Sequence, residues 1–207
     1  IPINGTSFRN MASLGGAESV LYSINKANRA VGRAQDSGGI WRPIYVDITN
    51  NVGSSASLVQ LGSGGANAQL GGQVEDITED NHRYVGSVTD SVGDVRARIW
   101  HTTGLVWTAT NPGSELLGVT NVTYQGQPFW RAVGYRTSGT GNKVPFYIDA
   151  QTSGATVGAV TDISRGPYTD GVATAISGHG LIVGRVKGGG NWTTCYWDPF
   201  DGYATPH

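Results

Sequence analysis

Residues 14–47 read LGGAESVLYSINKANRAVGRAQDSGGIWRPIYVD. Residues 19–24, 29–32 and 43–46 are short runs with β-branched and aromatic members, divided by a polar turn and by the turn at Ser37-Gly38-Gly39. A further turn, Thr49-Asn50-Asn51-Val52-Gly53, precedes Ser57-Leu58-Val59-Gln60-Leu61. Such runs, bounded by Gly, Asn, Asp and Ser, are the pattern of an antiparallel meander of four strands.

The same pattern recurs along the chain. A hydrophobic pair followed by glycine stands at RAVGR (29–33), RYVGS (83–87), RAVGY (131–135) and LIVGR (181–185), so that Gly32, Gly86, Gly134 and Gly184 are spaced by 54, 48 and 50 residues. A second anchor follows each glycine, in IYVD (44–47), RIWH (98–101), FYID (146–149) and CYWD (195–198). Four strands and a period near 50 predict the blades of a β-propeller, all-β, with about sixteen strands and under 10% helix. The repeats fall near 17–65, 66–112, 113–162 and 163–207 plus 1–16, in one domain covering 1–207. The run Ala12–Ser19 parallels Gln60–Asn67, and the last repeat ends without such a run. The N-terminal segment is therefore expected to supply the outer strand of the last blade and to close the ring, which would leave only short edges exposed.

Composition narrows the function. The 207 residues include 32 Gly, 38% hydrophobic and 14% charged residues, and a net charge of -1. No apolar run approaches the roughly 18 residues of a membrane span, so no membrane insertion is expected. Near-neutrality without a basic block argues against nucleic acid as a partner. The lone Cys195 cannot form an internal disulfide, and Ile1 in place of Met leads to the expectation of a processed chain. Sequons stand at Asn4, Asn121 and Asn191. A Thr, Ser, Asn and Gly-rich, Lys-poor chain is read as secreted, at the cell surface or outside it.

The stretch 14–47 resembles the repeat of extracellular HAF-family proteins, in which Leu-Gly-Gly precedes an Ile-Asn turn, then Val-Val-Gly, a Gly-containing turn and a closing His-Ala-Phe-Leu-Trp. The likeness spans nearly the whole chain, closest in 14–47 and in 175–197; repeat three departs from it by the insertion Tyr124-Gln125-Gly126-Gln127-Pro128-Phe129-Trp130, and no repeat keeps His-Ala-Phe. The resemblance implies a secreted, bacterial-type repeat protein of propeller-like build, with no established chemistry.

No catalytic residue, metal site or cofactor is assigned. Asp36-Ser37-Gly38-Gly39 matches the core of the chymotrypsin-like nucleophile motif, but that family places its His and Asp earlier in the chain and no His precedes His82. The four residues are read as a hairpin turn. The acidic residues Glu75, Asp76, Glu79 and Asp80, and Asp198 with Asp201, lack the Asp-x-Asp-x-Asp-Gly pattern of a calcium loop and are expected to cap turns and face solvent.

Aromatic residues divide by repeat position. Trp100 and Trp197 sit at the second anchor and are expected to be buried between blades, as are Val31, Val85, Val133 and Val183 before the glycines. Trp41 and Trp192 occupy equivalent turns, and Trp130 lies in the insertion. A displayed indole stacks on the apolar face of a pyranose while Asn, Asp and Arg bind its hydroxyls. The reading is a non-enzymatic extracellular module binding glycan or surface polymer through Trp41, Trp192 and Trp130, with Asp36, Arg42, Asn142 and Asn191 as hydrogen-bonding residues. The alternatives are a structural subunit of a surface layer, fibre or virion appendage, which would bind copies of itself, and, third, a glycan-cleaving enzyme.

Overall fold

The computed structural model describes residues 13–48, 58–62, 71–102, 104–124, 126–151 and 157–207. Four antiparallel sheets follow one another in chain order, each a simple meander. Sheet I holds β1 (Gly15–Ile24), β2 (Arg29–Asp36), β3 (Trp41–Asp47) and β4 (Leu58–Gln60). Sheet II holds β5 (Gly71–Ile77), β6 (Arg83–Thr89), β7 (Val95–His101) and β8 (Gly104–Thr108). Sheet III holds β9 (Ser114–Tyr124), β10 (Gln127–Thr137), β11 (Lys143–Gln151) and β12 (Val160–Asp162), and sheet IV β13 (Asp170–Ile176), β14 (Ile182–Gly188) and β15 (Asn191–Trp197). A single 3-10 turn at Pro199–Asp201 is the only helical element among the described residues.

The repeated glycines share one position and one cause. Gly32, Gly86, Gly134 and Gly184 lie in the second strand of their sheets, opposite a bulge that sets Tyr22, Glu75, Leu117 or Thr174 out of register in the first strand. A Cβ at these glycines would stand 1.9, 2.1, 2.0 and 2.1 Å from the carbonyl oxygens of Val20, Gln73, Glu115 and Val172. No other residue type fits so close to a neighbouring backbone.

Turn chemistry explains the spacing of the anchors. In sheets I and II an aspartate accepts backbone N–H groups two and four residues on, from Gly38 and Ile40 to Asp36 and from Val92 and Asp94 to Asp90. Gly39 and Gly93 then take positive φ, 76° and 90°. Repeat four instead turns on two residues, Gly189 and Gly190, both left-handed at 58° and 91°, between the paired Gly188 and Asn191. Two glycines of positive φ suit the tight hairpin turn that matches strand twist, and the shorter loop puts the second anchor one residue nearer its glycine.

Neighbouring sheets pack in chain order, I on II, II on III and III on IV, with first strands together: β1 on β5, β5 on β9, β9 on β13. Val31 enters a core with Val74, Ile77, Tyr84 and Trp100, and Val133 one with Ala173, Ile182 and Trp197. Between these, Val85 packs with Leu116, Val119 and Trp130. Trp100 and Trp197 are fully buried, their indole N–H groups donating to the carbonyls of Gly62 (3.2 Å) and Ser164 (2.8 Å). Val183 departs from the expectation of burial. It is 42% exposed, because it faces forward from the last sheet and no described strand pair packs sheet IV on sheet I as the others pack.

Polar ties run across the junctions as well. Arg29 holds Asp47 through two hydrogen bonds and donates to Tyr84 of the next sheet, while its guanidinium lies 4.4 Å from the centre of the Tyr45 ring. Arg131 repeats this with Asp149, Tyr147 and Tyr203. Asp76 accepts from the Ser23 hydroxyl (2.7 Å) and from the Val119 N–H (2.9 Å), so one carboxylate of sheet II ties sheets I and III. Glu79 accepts from the Lys26 N–H and Asp80 from the Asn121 amide. Asp76 is partly buried in this joining role, whereas Glu79 and Asp80 are exposed as expected and Asp80 also accepts the His82 N–H in its own turn.

The expected N-terminal closing strand lies outside the described residues except at its end, where Leu14 bridges Asp36 in sheet I. In sheet IV the place of a fourth strand, opposite Tyr196, is taken by His207, which exchanges both backbone hydrogen bonds with it at 3.1 and 2.9 Å. Gly86→Ala is expected to cost at least about 2 kcal/mol by overpacking, and Val133→Asp roughly 3 kcal/mol or more by burying a charge. Val183→Asp should change stability by under about 1 kcal/mol, as exposed substitutions do. Thermal unfolding of the three variants checks this order, and a Val183→Asp loss equal to that of Val133→Asp would refute it.

Candidate functional site

The residue after each motif glycine is Arg33, Ser87, Tyr135 or Arg185, and its diagonal neighbour across the hairpin is Trp41, Val95, Lys143 or Trp192. In sheet I the Arg33 guanidinium lies 4.2 Å from the Trp41 ring centre, and in sheet IV that of Arg185 lies 4.7 Å from Trp192. Sheet III inverts the couple, with Lys143 Nζ 3.9 Å from the Tyr135 ring. Three repeats thus carry a cation on an aromatic face at the same two positions, an arrangement worth about 0.5–1 kcal/mol when exposed. Sheet II has Ser87 and Val95 there, too small to fill the space.

A cleft of about 440 Å³ opens at that place, lined by Trp41, Arg33, Gln73, Ser87, Val95 and Glu115 among others. Its polar groups are organised by first strands meeting. Arg33 Nη1 donates to Gln73 Oε1 at 3.0 Å, the Gln73 amide donates to Glu75, and the Tyr135 hydroxyl donates to Glu115 at 2.7 Å. Burial and the Glu115 charge raise the Glu75 pKa. Burial and the hydrogen bond to Glu115 also raise that of Tyr135, which keeps its hydroxyl a donor. Arg33 Nε is buried without a hydrogen-bond partner. The wall therefore offers a half-buried indole, a guanidinium, an amide, a hydroxyl and a carboxylate within one concavity, a set able to fix hydroxyl groups and stack on an apolar ring face.

A second cleft of about 500 Å³ lies between sheets II and III, lined by Trp107, Phe146 and Val160 with Arg136 and Asp162 at its side. Its charged pair is closed on itself, Arg136 binding both Asp162 oxygens at 2.8 and 2.6 Å. The first cleft is the better equipped for a polar ligand.

Of the residues singled out from sequence, Trp41 lines the cleft. Trp192 is 38% exposed on sheet IV, away from its lining. Trp130 is a correction. The insertion extends the β9–β10 hairpin in place of forming a loop, and Trp130 pairs with Asn121 and Ala150 in mid-sheet, 2% exposed within the core. Its indole presents no face to a ligand. Asp36 is spent on its own turn and on the Arg42 Nε, 2.8 Å away. Those backbone hydrogen bonds, then Arg42, hold its pKa below the ordinary value. Asn142 sits in the β10–β11 turn, where its carbonyl accepts the Ser138 N–H, and Asn191 is exposed at the start of β15. Sequence reasoning missed Arg33, Gln73, Ser87, Glu115 and Tyr135. The signal was present for three of them, which stand directly after a motif glycine.

No protein-family model and no curated protein matches the chain.

The raised Glu75 pKa means that the folded protein holds the Glu75 proton more tightly than the unfolded chain does. Its charge therefore costs stability as pH rises from the ordinary value of about 4.3 through the folded one. Glu75→Gln removes that loss, so the variant should melt above the unsubstituted protein at pH 7, with the difference vanishing near pH 3. A difference independent of pH would show that Glu75 carries no such penalty.

Proposed function

We propose that the chain is a non-enzymatic extracellular recognition module, with its four sheets as propeller-type blades, and that it binds a glycan or surface polymer in the cleft beside Trp41. The observation that carries this is the coincidence of Trp41 with Arg33, Gln73, Ser87 and Glu115 around one concavity of about 440 Å³. That volume suits one or two sugar rings by the size of ordinary ligand pockets, about 300–1,000 Å³. Trp41 is half-buried, one face held by Arg33, which leaves it rigid before a ligand arrives; rigid aromatic anchors lose little entropy on binding. Gln73 and Glu115 then serve as bidentate partners for adjacent hydroxyls. Meander sheets packed first strand to first strand support the blade reading, and the likeness of residues 14–47 to HAF repeats supports the extracellular one.

A glycan array probed with the intact protein tests the proposal. Trp41→Ala and Gln73→Ala should each lower the affinity for the bound glycan at least about tenfold, a loss of about 1.4 kcal/mol, whereas Trp192→Ala should leave it within about threefold. An array without signal, or binding unaffected by Trp41→Ala, would remove the basis for the assignment.

A further inference from the structure

The three junctions within the chain share their parts. A valine before the motif glycine projects from the second strand of one sheet into first-strand side chains of the next, as Val31 does toward Val74 and Ile77. At the first junction the residue after the glycine reaches the same strand, Arg33 donating to Gln73. Each junction thus has a forward half on one sheet and a receiving half on the next.

Both halves recur once more, uncovered. Sheet IV carries the forward half: Val183 stands where Val31 does and is 42% exposed, Arg185 stands where Arg33 does and is exposed, and Tyr196 opposite Val183 matches Tyr45 opposite Val31. Sheet I carries the receiving half: Ile24 occupies the register of Ile77 but is 56% exposed where Ile77 is buried, and Val20, in the register of Gln73, is exposed too. Among the described residues no strand of sheet IV packs on sheet I to the extent that strands of successive sheets do.

We propose that sheet IV of one molecule docks on sheet I of a second copy, head to tail, repeating between molecules the junction that joins successive sheets within one. The occupant is a second copy because Val183 and Ile24 hold the two positions that share a core at each junction within this chain, as Val31 does with Ile77, Val85 with Val119 and Val133 with Ile176. Val183 would enter beside Ile24, and Arg185 would lie along Val20. A net charge of -1 sets no repulsion against such association. The contact is heterologous, since the two faces differ, so copies add until the rotation closes a ring or continue as a filament.

Light scattering coupled to size-exclusion chromatography of the intact chain over a range of concentrations tests this. The mass should rise with concentration to at least twice 21.7 kDa. Val183→Arg and Ile24→Arg, both at exposed positions, should each hold the protein at the monomer mass with circular dichroism and melting unchanged. An equimolar mixture of the two variants should form a dimer and nothing larger, because the first still offers its Ile24 face and the second its Val183 face. A monomer mass for the unsubstituted chain at every concentration would overturn the proposal, as closure of IV on I within one chain would give. A mixture of variants that stays monomeric would overturn it equally, since a symmetric contact between like faces would give that result.

Discussion

Everything in this molecule hangs on the approach of one strand to the next at four glycines. At Gly32, Gly86, Gly134 and Gly184 the carbonyl of the first strand lies where a Cβ would be, about 2 Å from its position. The closeness goes with a bulge, and the bulge turns one extra residue of each first strand out of the ladder. A bulge raises twist and re-aims side chains. Glu75 is such a residue, and its carboxylate reaches the Gln73 amide and the charge of Glu115 on the neighbouring sheet. The polar wall of the cleft is thus a by-product of the device that shapes the sheets.

Repetition then lets single positions differ without disturbing the frame. Behind the glycine, three repeats place a cation on an aromatic ring, twice as arginine on tryptophan and once inverted as lysine on tyrosine. The inversion shows that the contact, and not either residue type, is what these three repeats share. Ser87 and Val95 supply neither partner, and the space they leave is open to solvent as the cleft. A polar cleft arises here by subtraction from a repeated scaffold.

The polar residues at the junctions divide into two kinds. Arg29 and Arg131 are each held by a carboxylate on the adjacent strand and by a tyrosine hydroxyl beyond their own sheet, Tyr84 of sheet II and Tyr203 of the segment after β15, so their charge is paired where it is partly removed from water. Arg33 and Arg185 instead stack on indoles, 4.2 and 4.7 Å from the ring centres. Leu181 takes the place of the clamp arginine in repeat four, so repeat four lacks the tie with which Arg29 and Arg131 reach a tyrosine beyond their own sheet.

The amino-acid pattern by itself determined the all-β class, the four antiparallel meanders and the shared place of the glycines, because strand period and turn chemistry are local. It also separated Trp100 and Trp197, which are buried, from Trp192, which is exposed, since equivalent repeat positions share a side of the sheet. Trp130 escaped it: an insertion that lengthens two paired strands reads like a loop until the register with Asn121 and Ala150 is known. Val183 escaped it too, because burial depends on what lies opposite in space, which the repeat pattern does not carry. The cleft was equally beyond local reading. Arg33, Gln73, Ser87 and Glu115 come from β2, β5, β6 and β9, and only the packing of three sheets brings residues 82 positions apart in the chain to one wall.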